Sequence, residues 1–243
     1  MKDNVSTAIM FRRFLLATSI ALLATPIAAQ APEGWRVRVD RSENAQDPDD
    51  VPNIKFISMG QGFHVTSGPA GTFWHPDRTA TGDYTVKATF TLMKPSGHTN
   101  YYGLIFGGSD IEGAAQNYLY FLVGQNGTYV VRHRAGRVVH DMQEYTPHDA
   151  IRRPDEKGQS INALEVQVSG NTISYLVNGT VVLTAQKTAL GALQRALATP
   201  IAPSADSFVS SIQRATARTD GLAGVRVNHL LDVHVEGFEV QKR

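Results

Sequence analysis

The chain has 243 residues, with 23 lysines and arginines against 22 aspartates and glutamates, for a formal net charge of +1. So even a balance supplies no bulk electrostatic attraction for nucleic acid. The complete lack of cysteine excludes disulfides, cysteine-based zinc sites, thiol catalysis and lipoprotein acylation.

At the N-terminus, Arg12 and Arg13 precede an apolar run from Phe14 to Thr25, followed by Pro26 and the small-residue stretch Ile27-Ala28-Ala29-Gln30-Ala31. A basic region, a short apolar core and an alanine-rich exit make a secretory signal. The pattern reads cleanly from Met10, and the residues around the arginine pair fit ordinary secretion better than twin-arginine export. The run is too short to cross a bilayer, which takes about 20 apolar residues. Cleavage is expected after Ala29, because cleavage after Ala31 would set Pro32 beside the scissile bond. The predicted organisation is a signal peptide over 1–29 and one domain over 30–243, exported to the periplasm or beyond. Once the leader is removed, acidic residues slightly outnumber basic ones, and no second apolar stretch reaches membrane length. The remaining length suits one large sandwich or barrel with a substantial core.

Beyond an acidic loop at Glu43–Asp50, short apolar or alternating runs recur between turn residues. Strands are predicted at Trp35–Val39, Ile54–Ser58, Gly62–Thr66, Tyr84–Leu92, Tyr101–Phe106, Tyr118–Val123 and Thr128–Arg134. Five more follow at Ala163–Val168, Thr172–Val177, Thr180–Thr184, Gly224–Val227 and Asp232–Val240. Gly, Asn, Asp and Ser clusters such as Gly124-Gln125-Asn126-Gly127 separate them, which argues for an all-β sandwich rather than βαβ units. Ala163 to Ala185 reads as a three-stranded meander. Leu164, Val166 and Val168 alternate with Glu165 and Gln167, and Asn178-Gly179 supplies the positive-φ pair of a type I′ hairpin. Lys187 to Thr219 interrupts the pattern: it is alanine-rich, holds Leu190, Leu193 and Leu197 at helical spacing, and is divided by Pro200 and Pro203. It reads as a short helical insertion covering a sheet edge or one end, or as a lid or docking element.

The series Asn100-Tyr101-Tyr102-Gly103-Leu104-Ile105-Phe106-Gly107-Gly108, Tyr118-Leu119-Tyr120-Phe121 and Tyr129-Val130-Val131 resembles the central strands of concanavalin A-like lectin/glucanase folds. Asn162 to Val166, Tyr175-Leu176-Val177-Asn178-Gly179, Gly221 to Val227 and the closing Leu231 to Phe238 agree with it. Within that group the chain is most similar to laminin-G-like domains and bacterial 3-keto-disaccharide hydrolase-like domains. The resemblance spans roughly Thr66 to Val240, less the insertion. It implies a jelly-roll sandwich of two antiparallel sheets, whose concave face often binds or cleaves carbohydrate.

Glycoside hydrolysis needs two carboxyl groups flanking one bond. Glucanases of this fold carry them in a Glu-x-Asp-x-x-Glu run, and the sequence has none. The nearest mimic is Asp232-x-His234-x-Glu236, on one face of the last strand, where Asp232 and Glu236 would stand about 13 Å apart. That is too far for an acid–nucleophile pair and fits an outward polar face. Glu165 is the other carboxylate available to an enzyme. Sugar binding asks less, namely an aromatic platform and polar groups for hydroxyls. Trp74, Tyr102, Tyr118 and Tyr120 are the candidate platform. Tyr118 and Tyr120 face one way while Leu119 and Phe121 face the other sheet; alternatively the tyrosines are ordinary cross-strand packing partners. Arg132 and Arg134 are read as sharing a face two strands on, with Asn100 and Asn117 as candidate hydroxyl contacts. His75, His133, His140, His229 and His234 show no metal-ligand spacing. No cofactor is expected. Calcium, which laminin-G-like domains sometimes bind, would fall to Asp47, Asp49 and Asp50, or to Asp110 and Glu112.

The leading expectation is therefore a secreted carbohydrate-binding or accessory domain that uses an aromatic concave sheet face. The alternatives are a glycoside-processing enzyme of the 3-keto-glycoside hydrolase kind and a structural or protein-interaction domain docking through the insertion.

Overall fold

The computed structural model describes residues 31–42, 50, 53–190 and 216–243. The predicted leader, Asp47 and Asp49, and residues 191–215 of the insertion lie outside the described residues.

Alternating side chains and tight turns organise the chain into strands β1 (Arg36–Asp40), β2 (Lys55–Met59), β3 (Gly62–Thr66), β4 (Ala70–Ala80), β5 (Tyr84–Lys94), β6 (Tyr101–Ser109) and β7 (Asn117–Gly124). They continue as β8 (Thr128–Ala135), β9 (Val138–Pro147), β10 (Ser160–Ser169), β11 (Thr172–Val177), β12 (Thr180–Gln186), β13 (Gly221–Val227) and β14 (Asp232–Lys242). Every predicted strand forms within a few residues of its expected ends. β4 and β9 were not anticipated. β4 contains Gly71 and Pro76, which read as breakers, but β1 pairs only as far as Trp74 and the β13 register shifts opposite Pro76. The missing N–H of Pro76 therefore falls beyond the β1 ladder and within an irregularity, where proline is tolerated. β9 is an edge strand of mostly polar residues and offers no hydrophobic alternation to read.

Two seven-stranded antiparallel sheets form, in the orders β1-β4-β13-β6-β7-β8-β9 and β12-β11-β10-β5-β14-β3-β2. Inward side chains of the first, including Phe73, Leu104, Phe106, Phe121 and Val225, meet those of the second, including Val86, Phe90, Val166, Tyr175 and Val233. At one end Trp35 closes the core against Phe63, with ring centroids 4.6 Å apart, and against Phe56 and Phe238. The predicted meander is β10-β11-β12. Asn178 and Gly179 take φ of 51° and 80°, as a type I′ turn demands. Residues 187–190 make one helical turn, and Leu190 and Ala217, at the two ends of the insertion, both pack on the core. Among the described residues no helix is long and apolar enough to cross a membrane.

Candidate functional site

Directly paired residues of antiparallel strands point to the same side of a sheet. In the first sheet the pairs Arg36–Trp74, Trp74–Gly224, Gly224–Ile105, Ile105–Tyr120, Tyr120–Arg132 and Arg132–Asp141 therefore join into one line across all seven strands. Beside it runs Arg38–Thr72–Arg226–Gly103–Leu122–Val130. The intervening residues, Leu104, Leu119 and Phe121 among them, fill the core, so both lines lie on the outer face. There Trp74, Ile105, Tyr118, Tyr120, Leu122 and Val130 pack as a second apolar cluster, distinct from the one between the sheets. An apolar outer face is the exception for a sheet with one side on the core.

At the middle of this face stands Arg226, only 8% exposed. Its Nη1 donates to Oδ2 of Asp40 at 2.6 Å, and lies 3.0 Å from Oγ1 of Thr72 and 3.1 Å from the hydroxyl of Tyr118. The guanidinium carbon sits 5.7 Å from the ring centroid of Tyr120, within cation–π range. Burial works against the charge, but Tyr118, Asp40 and Tyr120 outweigh it and hold Arg226 more firmly protonated than a free arginine. The other oxygen of Asp40 accepts from Nε of Arg38 at 3.0 Å. Arg38 in turn donates through Nη1 to the carbonyls of Glu112 and Gly113 at 2.8 and 2.9 Å, tying the β6–β7 loop to β1.

Toward β9 the face opens. Tyr145 is 49% exposed, and its ring lies 4.8 Å from that of Tyr101. The guanidinium of Arg132 sits 4.7 Å from the Tyr145 centroid while its Nε donates to Asp141 at 2.5 Å. An accessible tyrosine ring with an oriented arginine and a carboxylate beside it offers one apolar surface and charged hydrogen-bonding groups at the same edge.

The structure brings four of the predicted ligand residues together: Trp74, Tyr118, Tyr120 and Arg132 share the outer face. Arg132 and Arg134 stand on the strand next to the tyrosines, not two strands on, opposite Tyr120 and Tyr118 respectively. Trp74, Tyr118 and Tyr120 are nevertheless buried; they form a floor rather than an open platform. Two other assignments are corrected. Tyr102 points between the sheets against Phe90, and its hydroxyl accepts from Asn162 at 3.2 Å, because odd and even positions of β6 alternate across the sheet. Asn117 likewise falls on the inner side, where its Oδ1 meets Nε2 of His133 at 2.7 Å and its Nδ2 donates to the carbonyl of Thr216. Asn100 is buried and braces its own loop through Ser96 and His98. Sequence reasoning missed Arg226, Asp40, Arg38, Tyr101, Tyr145 and Asp141. For Arg226 a signal existed, since it alternates with Val225 and Val227 and so had to face away from the core.

The predicted catalytic residues occupy the outer face of the second sheet. His64 contacts Asp232, Nε2 of His234 lies 3.0 Å from Oε1 of Glu236, and the two imidazoles stack at 6.1 Å. Asp232 and Glu236 thus engage different histidines and do not converge on one point. Glu165 sits on β10 and accepts from Gln167 at 2.7 Å. Of the other histidines, His75 accepts from the backbone N–H of Asp77, and His133 stacks on His140 at 5.5 Å. The Nδ1 of His229 is buried and has no hydrogen-bond partner among the described residues. Of the calcium candidates, Asp50 accepts from the backbone of Ser42, and Glu112 pairs with Arg36 at 2.8 Å. The carboxylate of Asp110 is tucked against Gly113, where a Cβ would collide with it. Among the described residues no group of three or more histidines or carboxylates is placed to hold a metal.

No protein-family model matches the sequence. No curated protein matches it either. The solved structures that share its fold do so at low identity. The carbohydrate binding module CBM66 from Bacillus subtilis is 11% identical and aligns with a TM-score of 0.56, covering 86% of this chain and 96% of its own. A Bacillus subtilis protein with a galectin-like fold is 13% identical, with a TM-score of 0.52 and coverage of 86% and 90%. A GH16 protein of the Bacteroides ovatus mixed linkage glucan locus, in complex with a product, is 6% identical, with a TM-score of 0.51 and coverage of 87% and 96%. Two seven-stranded antiparallel sheets, this strand order and these neighbours together place the chain in the concanavalin A-like jelly-roll fold.

Proposed function

We propose that this chain is an exported carbohydrate-binding domain whose ligand lies on the outer face of the β1-β4-β13-β6-β7-β8-β9 sheet. The observation that carries the reading is the apolar, aromatic character of that face, built round one buried arginine and edged by the accessible Tyr145 and Arg132. The floor of Trp74 and Tyr120 shapes the seat, Arg226 is a fixed donor, and Tyr145 offers a ring for the apolar side of a pyranose. The carbohydrate binding module and the galectin-like protein that share the fold are consistent with it. Cleavage is the weaker reading, because Asp232 and Glu236 are held by separate histidines on the opposite sheet, whereas hydrolysis needs two carboxyl groups astride one bond.

Calorimetric titration of the leaderless protein against glucan, galactan, fructan, uronan and peptidoglycan fragments, with and without calcium, tests the proposal. Saturable binding by at least one glycan is expected, weakened about tenfold by Tyr145→Ala through loss of the stacking surface. No heat with any fragment would refute it.

A further inference from the structure

Among the described residues the charges on the same face do not balance. Arg132 is matched by Asp141, and Arg36 by Glu112. That leaves Arg38, Arg134 and Arg226, which among the described residues have one carboxylate between them. Asp40 places Oδ1 on Arg38 and Oδ2 on Arg226, so it is already shared by two guanidiniums. Arg134 gives its Nε to the carbonyl of Gly136 at 2.7 Å and stands directly opposite Tyr118, whose hydroxyl lies 3.1 Å from Nη1 of Arg226. Arg226 spends only Nη1 on its three oxygens; among the described residues its Nε and Nη2 meet no acceptor. A buried cation keeps its charge only when paired and hydrogen-bonded. Among the described residues two guanidiniums share one carboxylate, Arg134 adds a third positive charge on the same face, and one edge of Arg226, the most buried of the three, is uncommitted.

We infer that this face binds an acidic sugar, and that the carboxylate of a uronate residue completes the charge set formed by Arg226, Arg134, Arg38 and Asp40. This rests on the glycan-binding reading of the same face and adds its ligand class. The adjacent Nε–H and Nη2–H of a guanidinium match the two oxygens of a carboxylate in a planar fork, which fits a uronate better than a hydroxyl. Tyr120 and Trp74 beneath, and Tyr145 at the open edge, suit the apolar side of the ring that bears it. A neutral sugar would leave the excess charge unanswered.

The test compares oligogalacturonate with its methyl ester, which keeps the ring and linkage but removes the charge, and with a neutral cello-oligosaccharide. The expected result is binding of the acid that weakens as salt rises, with the ester bound about tenfold or more weakly. Arg134→Gln should weaken binding of the acid by a similar factor while the circular dichroism stays that of the parent; Arg226→Gln should abolish it. Arg134→Gln keeps the test decisive if Arg226→Gln does not fold. Equal binding of acid and ester, or binding of neutral glycans alone, overturns the acidic-sugar assignment and leaves the glycan-binding reading standing. Failure of every glycan in the wider panel overturns both.

Discussion

Arg226 and Asp40 stand 186 residues apart in the chain, yet Nη1 of one lies 2.6 Å from Oδ2 of the other. The contact exists because β13 inserts between β4 and β6 while β1 pairs on the far side of β4, so Arg226 and Arg38 flank Thr72 on one face. Removing the carboxylate would leave two guanidiniums facing each other in a buried setting. Asp40→Ala should therefore cost about 3–5 kcal/mol, the range for breaking a buried ion pair from one side. Urea denaturation of the two proteins measures the difference, and a cost below that of an ordinary surface change would contradict the burial of the pair.

The same carboxyl gives an acid-side signature. Burial alone would raise its pKa, but Arg226, Arg134 and Arg38 together reverse the shift and hold it below the ordinary 3.8. With the folded pKa below the unfolded one, the stabilisation is fully present above the unfolded value and is lost as pH falls through the folded value. Stability measured downward from about pH 4 should fall less steeply in Asp40→Asn than in the parent.

His133 gives a second, separate window. Burial first, and then the neighbouring His140, push its pKa down to about 4 from 6.5. His140 is lowered too, by burial acting against the pull of Asp141. Between the two values of His133 the unfolded chain binds a proton that the folded protein refuses, so protonation favours unfolding there. Stability should be flat above pH 6.5 and decline from there toward pH 4. In His133→Gln that decline should flatten, and an unchanged slope between those limits would remove the imidazole as its source.

Gly224 sits in the middle of the outer row, between Trp74 and Ile105. A Cβ there would lie 2.2 Å from the carbonyl oxygen of Phe73 and 3.0 Å from Cβ of Trp74, and backbone cannot yield as a flexible side chain can. Gly224→Ala should destabilise by about 1–3 kcal/mol, the usual cost of overpacking. A thermal melt would show it as a drop of about 2–4 °C per kcal/mol for a chain of this size. The displaced Trp74 should also change the emission spectrum.

Two tyrosine variants should separate packing from recognition. Tyr102→Phe removes an acceptor of Asn162 inside the sandwich, costs about 1 kcal/mol of stability and leaves glycan affinity alone. Tyr145→Ala touches an exposed edge ring and should do the reverse. If Tyr102→Phe weakened glycan binding as strongly as Tyr145→Ala, the outer face would lose its claim as the seat.

Much of this molecule is written locally. Period-two alternation in β10, the Asn178-Gly179 turn and the opposed faces of Tyr118-Leu119-Tyr120-Phe121 follow from which side of a pleat each residue occupies, and neighbours in the chain decide that. β9 escaped because an edge strand can be polar on both faces, and β4 because its proline is harmless only where β1 has already ended. The candidate site was legible in part: Tyr118 and Tyr120 were read as facing one way and do share the outer face, Trp74 joins them only through the unanticipated β4, and strand parity turns Tyr102 and Asn117 to the inner side.

What the amino-acid order determined by itself is the all-β class and, strand by strand, which residues share a face, because side-chain direction depends only on local backbone geometry. Only the tertiary structure decided that β13 lies beside β4, that Arg226 meets Asp40, and that Arg38 and Arg226 share that one carboxylate on an apolar face. Those are pairings between distant segments, selected by the burial of both sheets at once, and no local pattern encodes which strand becomes whose neighbour.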